Sequence, residues 1–235
     1  SSWNQAIHRF FIGDIGPPLV VLSISGFLYA RSSQLSSIPF SITEATLFAS
    51  SILLWWIQEY FFHRILLHSP SFDWIGKSIH RAHHEKKYFH ISIDPPALLL
   101  GWLFAAHLAM KCFLPWHLCL TATIGYALAG LVYEWSHYIV HTKVKPPTTI
   151  SLDKSNRNTP ALLLSGAMIS GIMSRLFSQM RDNHIRHHLV DDRYWYAFSV
   201  PAMDDIFDTN PDVRDVRKRG VGVTKKRFTK DDEES

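Results

Sequence analysis

Residues 116–141 read WHLCLTATIGYALAGLVYEWSHYIVH, and the order of chemistry along them decides the fold. From Trp116 to Tyr133 there are 18 residues without Asp, Glu, Lys or Arg. A helix needs about 20 such residues to cross about 30 Å of hydrocarbon. The run then delivers His137 and His141, four apart and therefore on one helix face. A histidine pair at the end of an apolar helix is the theme on which the rest of the chain is built.

Working outward, Pro115 separates this run from Ala97–Met110, which is also uncharged, so the two predict a tight helical hairpin. Upstream, Ala45–Ile57 is uncharged and extends through Tyr60, Phe61 and Phe62, interrupted only by Gln58 and Glu59. Ile15–Ala30 is a fourth uncharged stretch, opening with Pro17-Pro18, which suits a first helical turn. The expected fold is all-α: an integral membrane bundle of about four transmembrane helices in two hairpins, with a cytosolic histidine-rich cap. A soluble bundle with buried helices is the competing reading.

Lys and Arg set the orientation. Residues 63–96 carry Arg64, Lys77, Arg81, Lys86 and Lys87, whereas the loop after the first stretch has Arg31 and the hairpin tip has Lys111. Residues 63–96, everything after Tyr133 and both chain ends are therefore expected in the cytosol. The bulk composition agrees with a large apolar core. The 235 residues are 47% hydrophobic, with 15 Phe, 8 Trp and 8 Tyr, which excludes a disordered chain. Two Cys exclude a disulfide scaffold. From residue 212 onward eight Lys/Arg face six Asp/Glu, so little of the net +4 is left for a nucleic-acid surface. Residues 212–235 are expected as a disordered charged tail behind a membrane-embedded domain over 1–211.

Ten of the 14 histidines fall in four groups: His63 and His68; His80, His83 and His84; His137 and His141; His184, His187 and His188. At this histidine content one H-x-x-H-H arises by chance about 0.05 times per chain, so two point to function. Three- and four-residue spacings aim the members of groups two, three and four at common points. His63 and His68, five apart, need either a bend, which Ser69-Pro70 would supply, or convergence from a helix end. Imidazole suits Fe, Zn, Cu or Ni, and ten ligands suit two ions rather than one. Groups one, two and three fall at the cytosolic edge, and group four joins them if Pro160–Ser174 does not cross the membrane.

Glu59, Glu85, Asp94, Glu134, Asp182, Asp191 and Asp192 lie near the groups and could accept the second ring N–H of a ligand, Asp191 and Asp192 foremost. His90 is a further ligand or supporting group; His107 and His117 are remote and read as neutral, hydrogen-bonded residues. Trp55-Trp56 and Tyr194-Trp195-Tyr196 read as interface belt or packing.

The order H-x4-H, H-x2-H-H, H-x3-H, H-x2-H-H resembles the fatty acid hydroxylase superfamily over roughly residues 45–208. The four-residue gap between His63 and His68 and the Pro95-Pro96 pair look most like the sphingolipid fatty acid 2-hydroxylases. So does the acidic residue followed by Tyr194-Trp195-Tyr196. The resemblance implies that all ten histidines bind two transition-metal ions, iron being expected, although zinc would occupy the same imidazoles. It further implies an endoplasmic-reticulum oxygenase that hydroxylates a fatty acyl chain. Its lipid substrate would come from the bilayer, and its electrons from a donor such as a b-type cytochrome with its reductase. Two readings compete: a sterol desaturase or sterol oxidase on the same scaffold, and a metal-binding membrane protein without turnover. The 42 residues between His141 and His184 exceed the connection this family leads one to expect, and an insertion at about 149–173 accounts for them.

Overall fold

The computed structural model describes residues 2–34, 37–71, 73–86, 95–142, 144 and 161–219, and these contain helices and no strand. The helices are α1 (Trp3–Phe11), α2 (Gly16–Ser32), α3 (Ile42–Phe61), α4 (Ile75–Glu85) and α5 (Pro96–Lys111). They continue with α6 (Trp116–Val140), α7 (Ala161–Leu189), α8 (Ala202–Ile206) and α9 (Val213–Lys218). Helix α6 is the axis of the molecule and packs against α2, α3 and α5. Its residues Cys119–Ala127 are buried on every side, the signature of a helix apolar all round and enclosed by others.

Two contacts fix the bundle. At Gly125 of α6 an added methyl would lie 2.6 Å from the Phe48 carbonyl oxygen and would collide with Ser51 Oγ. The absent side chain is what lets α3 and α6 approach, as small residues do in membrane helix pairs. Gly125→Ala should therefore lower stability by about 1–3 kcal/mol, read as a drop in Tm, since α3 must shift to admit the methyl. Farther along, Arg31 of α2 donates to both carboxylate oxygens of Glu44 (2.6 and 2.7 Å), and Thr121 of α6 donates to the same carboxylate (2.7 Å). A charge in an apolar bundle persists only when paired in this way, so the pair ties three helices together.

Helix α6 is long and apolar enough to cross a membrane by itself. Helices α1 and α2 pass the same test together, with a 72° bend between them, and α5 is apolar but has 16 residues. Helix α3 reaches 20 residues but carries Glu44, Gln58 and Glu59. Four full-length crossings thus go beyond what these helices display.

The structure departs from expectation at three further places. Helix α3 does not stop before a bend at Ser69-Pro70. It widens into a π-helical turn over Phe62–Leu67, closed by His68 N–H donating to the His63 carbonyl (3.2 Å). Because that turn pairs residues five apart, His63 and His68 come to one face. Residues 161–189 form one continuous helix, so an insertion ending near 173 would end inside α7. The first part of that connection, 145–160, lies outside the described residues, as do His90 and Asp94. Finally, the chain after 212 begins as structure rather than tail. Asp212 caps α9 through Arg214 N–H (2.7 Å), and Val216 is buried against Val190 and Trp195. Residues 220–235 lie outside the described part.

Candidate metal centre

The ten grouped histidines come together at one end of the bundle and sort into two sets of five. His63, His68, His80, His84 and His187 form one set; His83, His137, His141, His184 and His188 form the other. Within each set the ligand nitrogens lie within 4.8 Å of one another. The partition cuts across the sequence motifs. Members four apart stay together (80 with 84, 137 with 141, 184 with 188), whereas the member at the third position crosses to the opposite set. Adjacent residues of a helix point about 100° apart, so His83 and His84, like His187 and His188, diverge, and the placement of their helices brings the divergent members into different sets. The reading that aimed each H-x-x-H-H group at one point is corrected on this count, while His137 and His141 do share a set.

The nitrogen spacing fits metal ligation. In the first set, the Nε2–Nε2 distances are 3.1 Å (63–80), 3.2 Å (63–68), 2.8 Å (68–80), 3.0 Å (80–84) and 3.1 Å (68–187). The second set gives 3.2 Å (137–141), 2.9 Å (141–184) and 3.0 Å (184–188). Bonds of about 2.0–2.1 Å put ligands at right angles about 2.8–3.0 Å apart, and tetrahedral ligands about 3.3 Å apart. The observed values, 2.8–3.2 Å, span the interval from the former toward the latter. Mutual hydrogen bonding does not explain them: three Nε2 atoms in contact, those of His63, His68 and His80, each offer a single in-plane site.

The protonation state agrees. His63 Nδ1 donates to the Tyr196 carbonyl (2.6 Å) and His187 Nδ1 to the Tyr194 carbonyl (2.7 Å). A carbonyl only accepts, so both rings carry their proton at Nδ1 and aim a bare lone pair inward. Burial, reinforced by the neighbouring His187, pushes His63 down to about 3. Burial also pushes His68, His80, His184, His187 and His188 well below the ordinary imidazole range. All are neutral at pH 7, as ligands must be.

This predicts acid sensitivity. A histidine whose folded value is depressed contributes stability that is present above its unfolded value, near 6.5, and is lost as pH falls toward the folded value. Each loses about 1.4 kcal/mol per pH unit, so three remove about 8 kcal/mol over two units, comparable to a typical total stability. Metal-free protein should therefore unfold between about pH 6.5 and 4.5, followed by circular dichroism.

The groups that orient His63 and His187 are backbone carbonyls rather than the expected carboxylates. Asp191 gives both oxygens to its neighbour Arg193 (2.9 and 2.7 Å), and Asp182, Glu85 and Asp192 are exposed. The supporting element is the segment 194–199, whose Tyr194-Trp195-Tyr196 run was read as belt or packing. Trp195 is fully buried with φ 56°, a left-handed conformation that a bulky residue adopts only under strong constraint. Its N–H donates to the Thr209 carbonyl (2.8 Å) and its indole to Asn210 (2.9 Å). The reversed residue lets the carbonyls on either side of it reach two histidines of the same set. Two carboxylates strap the segment. Glu59 accepts from Phe198 and Ser199 N–H (3.1 and 3.0 Å), and Asp204 accepts from Tyr196 and Ala197 N–H (2.9 Å each). Asn183 and Thr209 also donate to Asp204 (2.7 and 2.6 Å). Asp204 and Asn183 were missed because no spacing or motif marks a carboxylate whose partners are backbone amides.

His107 is remote from both sets, buried and bonded to Thr123 (2.9 Å). Cys112 and Cys119 are free thiols. Beneath the first set lies an apolar pocket. It runs from His63, Leu67 and Trp74 past Tyr133 and Gly130 to Leu103, Ala127 and Val20.

A helical bundle that gathers ten histidines into two five-nitrogen sets beside an apolar pocket defines a histidine-box protein whose clusters could hold metal. The chain belongs to the fatty acid hydroxylase family, whose family model matches residues 48–209. A relative is the ceramide very long chain fatty acid hydroxylase scs7 of Schizosaccharomyces pombe, 30% identical over 131 residues. That match covers 52% of this chain and 36% of the relative, so the chain spans about a third of the curated protein's length. A solved structure of full-length scs7p, in which only the hydroxylase domain is visible, superposes with a TM-score of 0.58 at 16% identity. It covers 86% of this chain and 72% of that one and establishes the likeness of fold.

Proposed function

We propose that this chain is a membrane-bound lipid oxygenase that hydroxylates a fatty acyl chain at a dimetal site held by its ten histidines. The observation that carries the reading is the apolar pocket ending at His63, beside the first set of inward-facing imidazoles. His63, His68, His80, His84 and His187 would hold one ion, and His83, His137, His141, His184 and His188 the other. Two redox-active ions there, iron being the expected metal, would supply the dioxygen activation that an unactivated C–H bond requires. The overall reaction consumes one O2, two electrons and two protons, and yields one C–OH and one water. The protein's own part is positional. The carbonyls of Tyr194 and Tyr196 hold two imidazoles, and the pocket walls keep water from the acyl chain. A separate electron carrier, such as a b-type cytochrome with its reductase, would deliver the electrons.

In the bilayer we place α2, α3, α5 and α6 as four crossings, with the histidines and both ends in the cytosol and the endoplasmic reticulum as the membrane. Leu22, Leu28, Leu53, Leu54, Ile57, Phe104 and Leu108 all point outward from these helices, an apolar belt that lipid would cover. A thin bilayer of about 27 Å suits their short length. We take 1–211, extended through α9, as the folded domain.

The test is expression in cells lacking endogenous acyl hydroxylase, with lipid profiling and metal analysis of the purified protein. Gain of one oxygen on an acyl chain supports the reading. Loss of two hydrogens from a sterol or acyl chain moves it to the desaturase branch. Profiles identical for the parent and His80→Ala would mean that the protein binds metal without turnover.

A further inference from the structure

The apolar pocket does not end in solid protein on its α3–α5 side. A second groove runs along the outside of the bundle between these helices, edged by Phe61 and Ile65 and lined by Ala105, Ala106 and Ala109. Gln58, Phe62, Trp102 and Tyr126 line both the inner pocket and the outer groove, so they are the wall between them. The wall is held by a small set of contacts. The Trp102 indole N–H donates to Tyr126 Oη (2.8 Å), and its ring stands edge-on to Phe62 with centroids 4.7 Å apart. Tyr126 is buried and braced edge-on by Trp55, with centroids 5.1 Å apart, whereas Trp102 is 37% exposed. Of the two partners, Trp102 is the one free to swing outward. Phe62 immediately precedes His63, so the wall stands one residue from the first histidine set.

We infer that Trp102 is a lateral gate, and that the alanine-lined groove beside it receives one acyl chain of a membrane lipid before the chain slides into the pocket. This rests on the acyl-lipid reading above and adds to it a route and a residue. The occupant follows from the lining. Among the described residues that form the groove none is charged, so a headgroup finds no partner there. Three alanines on α5 line the groove with small apolar side chains, and only the four-residue wall stands between it and the pocket that reaches His63. The four wall residues supply aromatic surface and one side-chain amide.

A gate changes rates, whereas a pocket residue changes affinity, and the experiment separates the two. Purified protein in nanodiscs is mixed with an 18-carbon conjugated-tetraene fatty acid, and fluorescence is followed in equilibrium and stopped-flow modes. Trp102→Ala should speed association and dissociation together by about tenfold with little change in Kd. Ala105→Trp, which fills the outer groove at an exposed position, should slow both by a similar factor. Phe104→Trp, on the neighbouring outward face, is the control and should behave like the parent. Metal content should be unchanged in all three, which shows that the histidine sets remain folded. Equal rates for Ala105→Trp and Phe104→Trp would overturn the route, and unchanged rates in Trp102→Ala would overturn the gate. Failure of the parent to bind the fatty acid at all would instead overturn the acyl-lipid reading on which both stand.

Discussion

Replacing His80 and His84 together by alanine should leave purified protein with about one transition-metal ion per chain where the parent holds about two. The His137→Ala, His141→Ala pair should do the same for the other ion. Each pair takes two of five nitrogens from a single set and leaves three, while the opposite set keeps all five. Turnover should fall roughly a thousandfold or more in both, because groups that act as a unit fail as a unit. The informative variant is His80→Ala with His83→Ala. These residues sit in one motif but in different sets, so the double change removes one nitrogen from each. Both ions should then be weakened and neither lost outright. If metal content instead falls to one ion, the motifs and not the spatial sets define the sites. Full occupancy in all three variants would show that these histidines are not ligands. Thermal stability should track occupancy, since binding to a site absent from the unfolded chain is coupled to folding.

That partition marks the boundary of what the sequence discloses. The axis of the bundle was legible in 116–141, because an uncharged run and a four-residue histidine pair each have one helical interpretation. The gathering of the first three histidine groups was legible as well, from their positions at the ends of apolar stretches, and that of the fourth was conditional on 160–174 not crossing the membrane. Three features were not. The π-helical turn at Phe62–Leu67 makes a five-residue gap into a same-face pair, and the sequence FHRILL carries no mark of it. The crossing of His83 and His187 to the opposite sets depends on how α4 and α7 face each other, which is tertiary information. The role of Tyr194 and Tyr196 is played by their backbone carbonyls, so residue identity says nothing about it. All three are set by backbone geometry and by how the helices are placed, and not by residue type. The tail followed the same rule, since Val213 and Val216 find partners that only the fold brings to them.

The second large effect is expected far from any imidazole, in Asp204→Ala. This side chain is fully buried and accepts four hydrogen bonds, from the N–H groups of Tyr196 and Ala197 and from Asn183 and Thr209. Burial pushes its carboxyl up from the ordinary value while those four donors pull it back down. Truncation would leave two backbone N–H groups and one of the two Asn183 amide N–H groups without an acceptor, the other keeping the Ala197 carbonyl (2.8 Å), at a cost of about 1–3 kcal/mol each. A total of about 3–5 kcal/mol is expected once the segment relaxes, a large share of a typical domain's stability. The consequence for the site is specific. Asp204 fixes the amides of residues 196 and 197, Trp195 holds its strained conformation between them and Thr209, and the carbonyls of 194 and 196 aim His187 and His63. Loss of the carboxylate should therefore weaken the ion of the first set by about 10–100-fold and leave the second nearly intact. Asp204→Asn, which keeps the shape but turns one acceptor into a donor facing other donors, should fall between the parent and alanine. The measurement is metal affinity by competition with a chelator, run beside thermal unfolding of the same samples. Equal loss from both sets would mean that Asp204 acts through general stability alone. Selective loss from the first set would place control of one ion in a carboxylate that touches neither metal nor histidine.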